Sequence, residues 1–72
     1  MTLMEQVVLQ KVTALHRYTG GPVRTMVVAD MLGKHDRTLR YVLSRLEVKQ
    51  QVVRVGQRGG WLPAPRNNYL VA

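Results

Sequence analysis

Seventy-two residues provide one small core and no second one, because a chain of this length buries only about 60% of the surface that its unfolded form exposes. The sequence has no cysteine, which excludes disulfides, thiolate metal sites and cysteine nucleophiles, and the expected compartment is the reducing cytoplasm. Eleven Lys and Arg against four Asp and Glu leave a net charge of +7; residues 34–66 concentrate it in Lys34, Arg37, Arg40, Arg45, Lys49, Arg54, Arg58 and Arg66, against Asp36 and Glu47, so a polyanion is expected to bind the second half.

Met4, Val8, Val12 and Leu15 recur at helical spacing and predict a helix over about Thr2 to Tyr18, which Gly20-Gly21-Pro22 stops. Leu3, Val7, Ala14 and Tyr18 form a second stripe a quarter-turn away, more apolar surface than one small core uses. Pro22 to Arg24 reads as an extended link. Thr25 is expected to cap a second helix over about Met26 to Leu32, with Val28, Ala29 and Leu32 inward and Gly33 in the left-handed conformation that ends helices. After the turn Gly33-Lys34-His35, Asp36 is expected to cap a third helix, Arg37 to Lys49. Its Leu39, Val42, Leu43 and Leu46 give the cleanest amphipathic pattern of the chain. The opposite face carries Arg37, Tyr41, Ser44 and Val48. Gln51 to Val55 and Trp61-Leu62 are β-prone runs joined by the glycine-rich stretch Gly56 to Gly60, which predicts a hairpin. Trp61 is expected to close the core, and Met4, Met26 and Met31 read as core residues. The domain is expected over residues 1–64, with 65–72 as a tail.

The order helix, short extended link, helix, tight turn, helix, hairpin resembles the winged helix-turn-helix family of DNA-binding domains over about Met4 to Ala64. The resemblance rests on Val28 to Gly33, Asp36 to Glu47 and Val52 to Trp61. It implies a small α+β fold of three helices with a C-terminal β-hairpin wing. It also implies that helix 37–49 enters the major groove while wing 52–62 lies on the backbone or in the minor groove. Two positions depart from the family pattern. Lys34 stands where a hydrophobe usually follows the turn glycine, and Gln50-Gln51 stand where glycine and leucine usually join helix to wing.

The residues themselves agree with that implication. Arginine presents a planar fork to phosphate or to guanine O6 and N7, and Arg37 and Arg40 lie near a helix start, where a groove-inserted helix meets base edges. The expected DNA-binding set is Lys34, Arg37, Thr38, Arg40, Tyr41, Ser44, Arg45, Arg54 and Arg58. Within it Lys34 and Arg45 meet the backbone, and Arg58 at the hairpin tip reaches phosphate or the minor groove.

No histidine or carboxylate is placed to activate Ser44 and no phosphate loop opens a helix, so no catalytic residue, cofactor or small-molecule ligand is expected. His16 and His35 have no third ligand at metal-binding spacing. No apolar run reaches the ~20 residues a bilayer requires, and the N-terminus lacks a cationic segment followed by an apolar run. The expected function is sequence-specific binding of double-stranded DNA by a small transcriptional regulator. The alternatives are a winged helix that contacts an acidic protein within a larger complex, or RNA binding. A homodimer through Leu3, Val7, Ala14 and Tyr18 is the expected use of the surplus stripe, unless Tyr69, Leu70 and Val71 of the tail cover it.

Overall fold

The computed structural model describes residues 1–56 and 60–64 of the chain. In chain order it contains α1 (Leu3–Thr19), β1 (Val23–Arg24), α2 (Thr25–Leu32), α3 (Asp36–Val48), β2 (Val52–Val55) and β3 (Gly60–Pro63). This is the small α+β winged-helix arrangement expected from the sequence. Arg58, Arg66, Tyr69, Leu70 and Val71 lie outside the described residues.

Helix α1 starts on a capping box. The Glu5 backbone N–H donates to Thr2 Oγ1 at 3.1 Å while the Thr2 N–H donates to Glu5 Oε1 at 2.9 Å, so two otherwise unpaired donors are satisfied reciprocally. The helix ends at Gly20, whose N–H still donates to the His16 carbonyl at 2.7 Å and whose φ of 78° turns the following chain out of the helix. Val8 and Val12 are fully buried on the expected stripe, with Met4 and Leu15 at its half-buried margin.

The extended link is more than a connector. As β1, Val23 pairs with Trp61 and Arg24 with Gly60, which makes β3 the central strand of an antiparallel sheet ordered β1-β3-β2. Gly60 is required there by space, since a Cβ at this position would sit 2.8 Å from the Pro22 Cβ. On the same strand Trp61 is 1% exposed, and its indole N–H donates to Thr25 Oγ1 at 2.9 Å.

That bond corrects the expectation for Thr25. It is the first residue of α2, the N-cap is Arg24, and no side chain caps the helix. The Thr25 hydroxyl instead satisfies the one polar atom that burial of the tryptophan would orphan. Asp36 is likewise the first residue of α3 and not its cap. His35 occupies the cap position, and the Asp36 carboxylate accepts from Arg40 at 2.7 Å, one turn on. Met26 and Met31 are not core residues either. They are 71% and 54% exposed, because Val28 and Ala29 already fill the inward face of this two-turn helix.

Helices α2 and α3 end alike. In α2 the Lys34 N–H reaches the Ala29 carbonyl and the Gly33 N–H reaches Asp30; in α3 the Gln51 N–H reaches Leu46 and the Gln50 N–H reaches Glu47. Both are Schellman closures, which place one residue in the left-handed region. Gly33 adopts φ 64° without a Cβ penalty, whereas Gln50 holds φ 61° with a full side chain and is the only non-glycine residue with positive φ among those described. Gln50→Gly relieves that conflict and is expected to stabilise the domain by about 0.5–1 kcal/mol, read as a higher melting temperature by circular dichroism. A lower melting temperature than the parent's would contradict this account of the α3 terminus.

Candidate nucleic-acid interface

Helix α3 packs one side and presents the other. Leu39, Leu43 and Leu46 are fully buried and Val42 nearly so, which turns Arg37, Thr38, Arg40, Tyr41 and Arg45 outward, with Ser44 half-buried among them. At the start of the helix Arg37, Thr38 and Arg40 line one shallow depression of about 560 Å³ together with His35 and Asp36. Lys34 projects from the turn before it and also borders an apolar groove of about 370 Å³ formed by Leu3, Met4, Val7 and Leu32. Lys34, where the family usually has a hydrophobe, thus borders apolar surface while remaining exposed to water.

The expected DNA contacts differ in what already holds them. Arg37 and Lys34 make no side-chain hydrogen bond or ion pair among the described residues. Arg40 is tied to Asp36 by an exposed pair at 2.7 Å, a kind of contact worth at most about 1 kcal/mol and readily exchanged for phosphate. Arg54 lies over the Trp61 ring at 4.6 Å and donates to Glu47 at 3.4 Å, so the wing cation is stacked on the core tryptophan across the β2–β3 pair. Arg45 is the most constrained of the set. Its Nε donates to Glu5 Oε2 at 2.9 Å, its Nη1 donates to the Tyr41 hydroxyl at 3.3 Å, and its guanidinium sits 5.7 Å from the Tyr41 ring centre.

Glu5 is the one buried charged residue among those described, 2% exposed. Besides Arg45 it accepts from Lys49 Nζ at 2.7 Å and from the Thr2 backbone N–H, so both carboxylate oxygens are engaged. The hydrogen bonds from Lys49, from the Thr2 backbone and from Arg45 hold its pKa down to about 2 from an ordinary 4.5, outweighing the opposing effect of burial. The same contact, with that to Tyr41, raises the pKa of Arg45.

Glu5 and its link to Lys49 were missed in the sequence, although signals existed. The Thr2-x-x-Glu5 spacing is that of a capping box, and Glu5, Val8 and Val12 share a helical face, which puts an acid on the apolar stripe. Arg45 and Lys49, four residues apart, lie on one side of α3. Nothing local joins the two signals, because the partners are 40 and 44 residues from Glu5.

Two crossing helices, an outward basic face on the second and a hairpin beside it define a winged helix-turn-helix module. The chain belongs to the family described as winged helix-turn-helix transcription repressor, HrcA DNA-binding, whose model matches residues 1–70. It is thus a member of a family of DNA-binding repressors, not of an enzyme family. No curated protein and no solved structure matches the chain. No helix among the described residues is long and apolar enough to cross a membrane.

The Glu5 network carries a pH signature. Its folded-state pKa lies below the unfolded one, so the ion pairs contribute in full above about pH 4.5 and their contribution is lost as pH falls toward about 2. Glu5→Gln is expected to melt below the parent at neutral pH, and the gap should close between those two values. A gap that persists unchanged at about pH 2 would assign the stabilisation to packing rather than charge.

Proposed function

We propose that the chain represses transcription in the cytoplasm by binding duplex DNA sequence-specifically, with α3 in the major groove and the β2–β3 hairpin on the backbone or in the minor groove. The observation that carries the reading is the outward side of α3, where Arg37 and Tyr41 stand opposite a packed stripe and Thr38 and Arg40 flank them, all four exposed. A helix gripped along one side by Leu39, Val42, Leu43 and Leu46 offers its polar side chains at fixed azimuths, as reading base edges requires. In this reading Arg37 and Arg40 contact bases. Thr38, Tyr41 and Ser44 bond phosphate or base edges, and Lys34, Arg45, Arg54 and Arg58 bind backbone or the minor groove.

Duplex binding measured across a salt series tests the proposal. About five phosphate contacts give a slope of log affinity against log salt of roughly −4 to −5. Arg37→Ala is expected to cost about 1–3 kcal/mol on a duplex selected by the parent from a random pool and little on a scrambled duplex. Absence of duplex binding at low salt would favour the alternative in which the basic face meets an acidic protein, and equal losses on both duplexes would remove Arg37 from base reading.

We further propose a homodimer through α1. Leu3 and Tyr18 are 76% and 89% exposed, Ala14 is exposed and Val7 is half-buried, so the second stripe seen in the sequence is not absorbed by the described core. An isologous contact between two α1 helices would cover it and place two α3 helices for the two halves of a symmetric operator. Val7→Glu is expected to give a folded monomer with weakened operator binding. A parent that sediments as a monomer both free and on DNA would refute the dimer.

A further inference from the structure

The Glu5 contacts have a peculiar position for an ion-pair cluster. They lie under the last two turns of the helix that faces outward, and they engage two cations that remain half exposed on the basic side of the molecule, Arg45 at 47% and Lys49 at 39%. A buried carboxylate that only needed neutralising would be served by one cation; here it holds two by different oxygens, and Thr2 fixes it from behind. The guanidinium of Arg45 is oriented by Nε on Glu5 and Nη1 on the Tyr41 hydroxyl, which leaves Nη2 unengaged among the described residues. Lys49 keeps two of its three N–H donors for an outside partner, since its ammonium meets Glu5 through one bond. Long basic side chains normally lose rotamer freedom when they grip a phosphate, and these two have already lost it on folding.

The cluster also sets charge. One anion beneath two cations halves their joint pull on any polyanion, matched or not. Orientation favours a duplex whose phosphates fall where the two donors point, whereas the subtracted charge weakens binding to every duplex alike. The orientation therefore acts on the difference between specific and nonspecific affinity, and the charge on the level of both.

We propose that Glu5 is a positioning residue for DNA binding, one that holds Arg45 and Lys49 as a preset backbone clamp and thereby sets the ratio of specific to nonspecific affinity. This rests on the DNA-binding reading above. It adds a residue from the opposite end of the chain that touches no nucleic acid itself.

The test compares the 72-residue parent with Glu5→Gln and Arg45→Lys on two probes, a duplex selected by the parent from a random pool and a scrambled duplex of the same length. Glu5→Gln is expected to bind the scrambled duplex more tightly, with a salt slope steeper by about one unit, while its specific-to-nonspecific ratio falls about tenfold, the equivalent of one charge-assisted hydrogen bond. Arg45→Lys keeps the charge but not the fork, and should lower the ratio with the slope unchanged. A purely structural role for Glu5 would instead reduce binding to both probes together, in step with the fraction folded. That outcome, or an unchanged ratio in folded Glu5→Gln, overturns the proposal. If Glu5→Gln does not fold, Arg45→Lys decides alone, and an unchanged ratio overturns it. A parent that selects no duplex defeats the DNA-binding reading itself, whereas a parent that selects one and variants that keep its ratio defeat only the role given to Glu5.

Discussion

Helix α3 must be core and surface at once, and the narrowness of its apolar stripe makes that possible. In a domain this small no helix can be reserved for the interface, so the helix offered to a partner must also supply a large share of the buried side chains. Leu39, Val42, Leu43 and Leu46 cover about one third of the circumference and are buried by α1, α2 and the sheet, while the rest of the helix is released to solvent. A wider stripe would consume the outward face, and a weaker one would leave its azimuth undefined. The other elements follow from closing a core around that stripe.

Trp61 closes it from the sheet side. Its place on the central strand puts the largest side chain of the core against the helices, and each hydrogen-bonding or electrostatic feature of the indole has a partner: Thr25 for the N–H, Arg54 over the ring. Through these contacts one residue joins the wing, the start of α2 and the core. The sheet needs the two-residue strand β1 for the same reason, since without Val23 and Arg24 the central strand would be an edge with unpaired backbone groups.

The fold was legible wherever a local pattern carried it. The periods of α1 and α3, Gly33 in the left-handed region and the glycine-rich hairpin all state their structure within a few residues. Misassignments arose where a side chain had two possible partners. Thr25 and Asp36 carry the right chemistry to cap helices, but a buried indole N–H claims the first, and the second lies inside the first turn of α3, where it pairs with Arg40. Gln50 hid the closure of α3, because glycine is the usual signal and glutamine adopts the same backbone angle at a cost. The candidate interface was legible as a set of basic residues on the outward side of one helix. What composition alone concealed was how unevenly those residues are engaged, because ion pairs such as Glu5 with Lys49 depend on tertiary contact and not on spacing.

That unevenness gives the module a direction. Three of the four acids are bound to cations of α3 or its neighbours: Glu5 to Arg45 and Lys49, Asp36 to Arg40, Glu47 to Arg54. The middle and far end of the basic surface are therefore partly neutralised from within, and among the described residues of this surface Lys34 and Arg37 keep their full charge. Both flank the start of α3, where the aligned peptide dipoles add about half a positive charge that Asp36, committed to Arg40, offsets only in part. A polyanion approaching such a surface meets the strongest attraction at the N-terminal end of the helix, which in the proposed complex is the end that enters the groove. The acids of this sequence thus do more than lower its net charge: by their positions they set where along α3 the attraction for a polyanion is strongest, and so, in the proposed complex, which part of the helix a duplex meets first.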